Sequence, residues 1–264
     1  MRRTAKVLVR QHGDSSAERR PDEVVVEEPL EIRLDGERVA TTMRTPGHDF
    51  ELAVGFLQAE GLLEGARVRT VRYCGSGSAT ATEFNVVTVE TDGRGPEPKP
   101  RLGPINSACG VCGTDQLDAL SDRLVPFVDL APFPGSTLPK VLNDLVLHQE
   151  LFERTGGAHA AALATRAGSL SFVREDIGRH NALDKVAGKL RLENTGDIAD
   201  HAVCVTSRAS YEMVQKAWAA RIGTVVASGA PSALAIRTAT VAGMNLLAFA
   251  KGTSFNVYVG AVAD

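Results

Sequence analysis

The amino-acid sequence predicts an α/β protein with a small N-terminal α+β domain and a larger C-terminal domain built on a mostly parallel sheet. Asp35-Gly36 lies between two alternating apolar segments, a pattern typical of a β-hairpin. From residue 202 onward, short apolar segments alternate with helix patterns, as in parallel strands joined by crossover helices. A Pro- and Gly-rich stretch at 92–104 separates the two parts. We therefore expect domains at 1–100 and 136–264, joined by a connection at 101–135.

The N-terminal part contains strand patterns on both sides of one helix pattern. Pro46-Gly47 marks a turn, and Asp49 is a candidate N-cap for a helix that ends near Gly61. The polar segment 11–21 has no periodic pattern and is predicted to be loose. The predicted strands cover residues 6–10, 24–26, 30–34, 39–43, 68–73 and 83–90.

The C-terminal part begins with a helix and a hairpin before the regular alternation sets in. Ser136 and Pro139 predict the start of a helix that ends at Gly156-Gly157. A hairpin is predicted at 158–165 and 169–174. Further helices are predicted at 179–192, 210–221 and 231–241, and further strands at 202–207, 223–228, 245–250 and 255–259.

Polar segments follow three of the predicted parallel strands. Ligands of such sheets bind beyond the carboxyl ends of the strands, where helix starts offer free N–H groups to phosphate oxygens. Each segment alone is also compatible with ordinary Ser/Thr helix caps, but three on one edge, with charge from Arg208 and Lys251, predict a nucleotide-like anionic ligand. The candidate binding residues are Ser207, Arg208, Ser228, Gly229, Phe249, Ala250, Lys251, Gly252, Thr253 and Ser254.

Residues 174–185 form the densest cluster of polar functional groups in the chain. The segment Arg-Glu-Asp-Ile-Gly-Arg-His-Asn-Ala-Leu-Asp-Lys runs from a strand end to a helix start. Carboxylates beside Arg179, His180 and Asn181 could bind a purine base edge or a pterin. The alternative is a solvated helix start crossed by ion pairs.

Composition excludes several classes of function. A net charge of −3 and a pI near 6.1 argue against general nucleic-acid binding. The sequence has no apolar run of membrane-spanning length, and its start lacks a signal-peptide core. We therefore expect a cytoplasmic protein without a membrane partner, whose cysteines are reduced thiols.

Cys109 and Cys112 are two residues apart, and each is followed by glycine. Leu117, Leu120 and Leu124 then recur at helical spacing, so the pair is predicted on a mobile loop that leads into a helix N-terminus. The free N–H groups and the positive dipole end at such a position stabilise a thiolate.

Three interpretations of this cysteine pair remain open from the residues alone. A structural zinc site needs two further ligands, and Cys74 and Cys204 are isolated in the sequence. A thioredoxin-type redox pair lacks the βαβ start that should precede it. The third interpretation is a persulfide carrier, in which one exposed thiolate holds a transferable sulfur.

Several motifs resemble the formate dehydrogenase accessory sulfurtransferase family. They are Asn-Ser-Ala-Cys-Gly-Val-Cys-Gly at 106–113, Asp-Ile-Gly-Arg-His-Asn at 176–181, Thr-Ser-Arg at 206–208, Thr-Gly-Gly at 155–157 with His159, and Thr-Pro-Gly-His-Asp at 45–49. The resemblance implies a cytidine deaminase-like three-layer α/β/α fold for the second domain. It also implies a sulfur carrier between a cysteine desulfurase and the molybdenum cofactor of formate dehydrogenase.

The resemblance further implies the roles of individual residues. Cys109 matches the persulfide-forming cysteine, with Cys112 assisting, and no metal is expected at the pair. Residues 249–254 match the segment that binds bis(molybdopterin guanine dinucleotide), for which a guanine nucleotide is an analogue, and the family is homodimeric. The partners would be the desulfurase and the formate dehydrogenase apoenzyme.

Two other functions are weighed against sulfur transfer. Zinc deaminases need His-x-Glu at a helix start followed by a Cys-x-x-Cys, whereas His180-Asn181-Ala182 lacks the glutamate and Cys109-x-x-Cys112 precedes it. The non-enzymatic alternative is a chaperone for the molybdenum cofactor whose cysteines hold zinc or dock a partner.

Overall fold

The structure of the protein is a computed structural model that describes residues 1–12, 17–74, 78–96 and 120–263. The N-terminal part contains a two-stranded hairpin, a four-stranded sheet in the order β4-β3-β6-β5 and one helix. The sheet is mixed, since β3 pairs with β6 in parallel and the other pairs are antiparallel. The elements are β1 (Thr4–His12), β2 (Ala17–Val25), β3 (Glu28–Leu34), β4 (Glu37–Arg44), α1 (Asp49–Ala59), β5 (Val68–Tyr73) and β6 (Val86–Thr91), with a 3₁₀ turn at Ala79–Thr82.

The C-terminal part is a six-stranded sheet in the order β13-β12-β11-β10-β8-β9 with its helices. A small parallel pair, β7 (Phe133–Pro134) with β14 (Val262–Ala263), lies beside it. The remaining helices are α2 (Leu138–Leu147), α3 (Glu150–Thr155), α4 (Arg179–Leu192), α5 (Tyr211–Ala219) and α6 (Ala233–Ala242), and a 3₁₀ turn covers Gly135–Thr137. The remaining strands are β8 (His159–Ala164), β9 (Leu170–Asp176), β10 (Ala202–Val205), β11 (Thr224–Ala227), β12 (Asn245–Lys251) and β13 (Ser254–Val259).

The C-terminal sheet lies between two helical layers. Side chains of α4, α5 and α6, such as Leu183, Trp218 and Ala239, share one apolar core with one face of the sheet. Side chains of α2, such as Val141 and Leu145, form a second core with the other face. This arrangement confirms the predicted α/β class and gives three layers, α/β/α.

The prediction of a mostly parallel sheet is wrong. Only the pairs β10–β11 and β11–β12 are parallel, whereas β8, β9 and β13 join the sheet by antiparallel pairing. The cause is the connectivity. Crossover helices α5 and α6 impose parallel pairing on the strands that they join, and the two hairpins add antiparallel strands at both edges.

Two segments of the chain differ from the sequence-based expectation. Residues 17–21, part of the segment 11–21 predicted to be loose, belong to β2, which also includes most of the strand predicted at 24–26 and pairs with β1 along its whole length. The predicted helix from 136 to 156 is divided into α2 and α3. The division occurs because the buried Glu175 carboxylate accepts hydrogen bonds from the N–H groups of Leu151 and Phe152, both at 2.9 Å, and so satisfies the donors of a new helix start.

Helices α1 and α4 cross at glycines and bring the two parts together. A Cβ atom at Gly55 would overlap the carbonyl oxygen of Asp184, and a Cβ at Gly188 would overlap that of Glu51. Only glycine permits so close an approach of two backbones. The crossing fixes the start of α4 relative to the N-terminal sheet, and that start lies in the candidate site.

Candidate functional site

The three predicted segments lie side by side at one edge of the C-terminal sheet. Because β10, β11 and β12 are parallel, their carboxyl ends meet there. The Gly229 N–H donates to the Ser207 carbonyl at 3.0 Å, and the Phe249 N–H donates to the Gly229 carbonyl at 3.3 Å. Gly229 also lies against the backbone of Arg208, where a Cβ would stand 3.0 Å from its Cα. The prediction that these segments form one surface is confirmed.

The first two segments lead into helices α5 and α6. The Ser232 side chain caps α6 by accepting from the Ala235 N–H at 3.1 Å, whereas Ser210 precedes α5 without a side-chain cap bond. Arg208 and Ser228 are exposed at the edge, and Ser207 is buried with its hydroxyl donating to the Arg208 carbonyl at 3.2 Å. The exposed side chains are therefore the ones available to a ligand.

The third segment is a hairpin turn and not an open loop. Lys251 pairs with Ser254 across Gly252 and Thr253, and Gly252 has φ +56°, which favours glycine. The side chains of Lys251, Thr253 and Ser254 are exposed. The turn thus presents an ammonium group and hydroxyls beyond the end of β12.

Phe249 and Ala250 precede that turn and face in different directions. A positive φ of 53° at Phe249 accompanies an irregularity in the β12–β13 pairing. The Phe249 ring is 49% exposed and lies 6.5 Å from the Tyr258 ring, whereas Ala250 is buried in the core beneath α2. Phe249 therefore offers an aromatic face at the edge, and Ala250 contributes only its backbone.

The two carboxylates of the 174–185 segment do not face a ligand. Asp176 is fully buried and accepts from Lys185 Nζ at 2.7 Å, the Thr45 N–H at 3.1 Å and the Gly178 N–H at 2.8 Å. Glu175 caps α3. Both carboxylates are buried and hydrogen-bonded to protein donors, so neither faces a base edge. The alternative of a solvated helix start crossed by ion pairs is correct in its ion pairs, such as Lys185 with Asp176, but not in the solvation of these two carboxylates.

Asn181 is also engaged within the protein. Its amide donates to the Met43 carbonyl at 2.7 Å and to the Asp176 carboxylate at 3.0 Å, and it accepts from the Thr42 hydroxyl at 3.2 Å. The side chain is buried. Asn181 therefore lies near the edge but joins α4 to β4.

His180 lies at the edge, next to a residue that sequence reasoning missed. Its Nε2 atom is 3.0 Å from Oε2 of Glu212, and the two side chains are 24% and 34% exposed. Both residues occupy the first turn of their helices, α4 and α5. Successive helices on one face of a parallel sheet start at the same edge, and this rule is the signal that could have found Glu212.

His159, at the start of β8, reaches the same edge because β8 is antiparallel to β10. The Thr206 N–H donates to the Ala160 carbonyl at 3.0 Å, and the Ala160 N–H donates to the Thr206 hydroxyl at 2.8 Å. Burial lowers the pKa of His159, and the positive charge of Arg179 lowers it further. Both effects favour the neutral imidazole.

The cysteines divide into two groups. Cys109 and Cys112 lie outside the described residues. Cys204 lies in the core, where burial raises its pKa to about 12, and Cys74 is half-buried after β5. Within the described ranges, no three His, Cys, Asp or Glu side chains are grouped as a metal site. No helix in those ranges is long and apolar enough to cross a membrane.

Comparison with known proteins decides the family. Residues 25–262 match the FdhD/NarQ family. The chain belongs to that family. It is 45% identical over 253 residues to the sulfur carrier protein FdhD of Corynebacterium efficiens, covering 91% of this chain and 90% of that protein. It is 44% identical over 271 residues to the sulfur carrier protein FdhD of Mycobacterium tuberculosis, covering 98% and 97%.

A solved structure shares the fold of this FdhD/NarQ chain. It is a protein from Desulfotalea psychrophila that is assigned as a formate dehydrogenase accessory protein. The TM-score is 0.76 at 22% sequence identity, and the match covers 97% of both chains. At this identity the likeness establishes the fold alone. The family resemblance seen in the sequence motifs is confirmed.

Proposed function

We propose that this protein is a sulfur carrier that accepts sulfane sulfur from a cysteine desulfurase and passes it to a molybdenum cofactor for formate dehydrogenase. The cofactor would be bis(molybdopterin guanine dinucleotide), bound as substrate. Membership of the FdhD/NarQ family supports the sulfur-carrier role, as does the name sulfur carrier protein FdhD of relatives that are 44% and 45% identical. The observation that carries the binding part is the convergence of three polar segments at one sheet edge.

The edge suits a large anion with nucleotide ends. Arg208 and Lys251 bring positive charge to neighbouring segments, and Ser228, Thr253 and Ser254 bring exposed hydroxyls. Guanidinium and ammonium groups bind phosphate strongly, and helix starts add free N–H donors. The exposed Phe249 ring can stack on a base or pterin ring.

Loading would be a thiol–persulfide exchange at Cys109. The Cys109 thiolate attacks the terminal sulfur of the desulfurase persulfide, a new S–S bond forms at Cys109, and the desulfurase cysteine leaves as a thiolate. No net oxidant is consumed, because the sulfane sulfur only changes its carrier. Cys112 would assist, and the formate dehydrogenase apoenzyme would receive the sulfurated cofactor.

Mass spectrometry after incubation with desulfurase and cysteine tests the carrier role. We expect one added sulfur, about 32 Da, on the peptide that contains Cys109, and its release by dithiothreitol. Cys109→Ala should abolish this addition, while the matched control Cys74→Ala should retain it. Loading retained in Cys109→Ala would overturn the assignment of Cys109.

The competing proposal is a cofactor chaperone whose cysteine pair holds zinc or docks a partner. Metal analysis of the purified protein separates the two proposals, since stoichiometric zinc lost in Cys109→Ala would favour the chaperone.

Our proposal further includes a cytidine deaminase-like second domain, a homodimer and a cytoplasmic location. The three-layer order of the second domain supports the cytidine deaminase-like arrangement. Deamination has no support, because Asn181-Ala182 follows His180 where that chemistry needs a glutamate.

A further inference from the structure

A cluster of ionisable side chains lies at the edge beside the segments assigned to the nucleotide. Arg179 and His180 are the first residues of α4, Ser210 and Glu212 flank the start of α5, and His159 begins β8. The cluster is centred on β8 and β10, whereas Ser228 and Lys251 lie at the ends of β11 and β12. It therefore adjoins Arg208 at the end of β10 and extends the same edge towards β8.

The electrostatics of the cluster show that its members act on one another. The close approach of His180, whose Nε2 lies 3.0 Å from the carboxylate, lowers the pKa of Glu212 most, and the charges of Lys216 and Arg179 lower it further against the effect of burial. Burial, Arg179 and His180 lower the pKa of His159, although the Thr206 backbone favours its protonated ring. One carboxylate thus faces three groups that carry or can take up positive charge.

Three polar atoms of the cluster are buried without a hydrogen-bond partner in the described part of the chain. They are Nε of Arg179, Oγ of Ser210 and Nε2 of His180, which lies 3.0 Å from Glu212 Oε2 without the geometry of a hydrogen bond. Among the described residues, Arg179 takes part in none of the ion pairs within 4.0 Å. A buried polar group without a partner is destabilising, so such atoms mark a place where a ligand can supply the missing partner.

We propose that Arg179, His180, His159 and Ser210 form an anion subsite, and that Glu212 is a positioning residue that holds His180 in it. The ligand is a compact anion, either a phosphate of the guanine nucleotide or a sulfur anion of the cofactor. This inference rests on the proposed function only for the source of the anion. One turn deeper, Asp184 and Lys216 pair at 2.8 Å and close the cluster from below.

Binding at this subsite should be linked to proton uptake. An anion beside His159 favours its protonated ring, while Arg179 and His180 oppose protonation in the free protein. The bound anion offsets both charges. We therefore expect affinity to rise as the pH falls from 8 to 6, and His159→Gln to remove this dependence.

Calorimetric titration of the full chain with GDP, and separately with thiosulfate, tests the subsite. Arg179→Gln should weaken binding of one of the two probes at least fivefold. The matched control is Lys189→Gln, on the same helix ten residues away, where Lys189 pairs with Glu193 at 2.5 Å. Weaker GDP binding assigns the subsite to phosphate, and weaker thiosulfate binding assigns it to a sulfur anion.

Glu212→Gln tests the positioning role without removing a ligand contact. We expect binding of the same probe to weaken about threefold, with the pH dependence displaced, and Glu212→Asp to restore part of both. Thermal unfolding verifies that each variant is folded, and Arg179→Lys serves if Arg179→Gln is not. The inference is overturned if neither probe binds, or if Arg179 variants bind both like the wild type. Sulfur loading of Cys109 is measured separately, so its failure would count against the proposed function alone.

Discussion

Segment 174–185 contains two sets of polar side chains with opposite surroundings. Asp176, Asn181 and Lys185 are buried, and every one is hydrogen-bonded to the strand or turn at 42–45. Arg179 and His180 lie on the same helical turn but face the sheet edge, with an unpartnered Nε on Arg179 within the described chain. The inward set fixes where α4 begins, and the outward set belongs to the anion subsite that we propose.

A dense polar motif can thus position a helix through its buried side chains and present its other side chains at the sheet edge. Buried ion pairs add little net stability over apolar packing, but they specify one arrangement because any other arrangement leaves a charge unpaired. Lys185 donates to the Thr45 carbonyl at 3.0 Å as well as to Asp176, so α4 can start only where the N-terminal sheet lies correctly. Changes in the two sets should therefore have separable effects.

The largest effect on stability is expected from Lys185→Met. Lys185 is 1% exposed, and burial lowers its pKa against the opposing charge of Asp176. Removal of the ammonium leaves the Asp176 carboxylate uncompensated, which should lower the free energy of unfolding by about 3–5 kcal/mol. Urea denaturation measures this loss.

Lys189→Gln, on the exposed side of the same helix, provides the control and should change stability by less than about 1 kcal/mol. The double variant Asp176→Asn/Lys185→Met should recover part of the loss, because it removes both charges. If Lys185→Met were as stable as Lys189→Gln, the inward set would not be structural.

Residues 174–185 also show what the sequence predicts and what it does not. Helix α4 begins and ends where its periodicity predicts, at 179 and 192, because apolar spacing is a local property. Which carboxylates are buried depends on where residues 42–45 and 151–152 fold against them, and no local pattern contains that information. The same limit hid the pairing of Glu212 with His180.

Other elements show the same difference between local patterns, which the sequence contains, and tertiary contacts, which it does not. The alternation after residue 202 correctly predicts the parallel strands and the shared edge. Only the end of strand β2 is predicted, at 24–26, because residues 17–23 are mostly polar on both faces, and the hairpin is held instead by β1 and by the ion pair between Arg154 and Glu23. The turn at Lys251–Ser254 is a hairpin because β13 returns alongside β12, a tertiary fact that Gly252 alone does not establish.

A smaller effect on stability, and one that depends on pH, is expected at the second ion pair of the same interface. Glu51 of α1 accepts from Arg174 of β9 at 2.5 and 2.8 Å, and both side chains are 12% exposed. Burial raises the pKa of Glu51, but hydrogen bonds and charge from Arg174 and His48 outweigh it and lower the pKa to about 2. The folded state therefore favours the ionised carboxylate.

The sign of the pH dependence follows from that shift. Because the folded pKa lies below the ordinary value of 4.5, the stabilisation is complete above about pH 4.5 and is lost as the pH falls towards 2. Between pH 7 and pH 3 the contribution of this pair to the free energy of unfolding should fall by about 2 kcal/mol. Denaturation of the wild type and of Arg174→Gln at pH 7 and pH 3 isolates the contribution of the Glu51–Arg174 pair, because the other carboxylates titrate equally in the two proteins. Parallel pH profiles would show that the pair does not stabilise the interface.

The smallest effect on stability, and the sharpest test of the comparison, is expected from Arg208→Gln at the edge. Arg208 is exposed, and none of the ion pairs found between described residues includes it. Its loss should change the free energy of unfolding by less than about 0.5 kcal/mol. Loss of a charge-assisted phosphate contact should nevertheless weaken GDP binding about tenfold, or about 1.4 kcal/mol.

The matched control is Arg237→Gln, an exposed arginine in the second turn of α6 that belongs to none of the three edge segments. It should leave both unfolding and GDP binding unchanged. Lys185→Met, assayed where it is still folded, should bind GDP like the wild type because Lys185 faces away from the edge. Equal weakening of GDP binding in Arg208→Gln and Arg237→Gln would mean that general charge and not the edge attracts the nucleotide. In that case the separation between the inward and outward sets would describe the fold without describing the site.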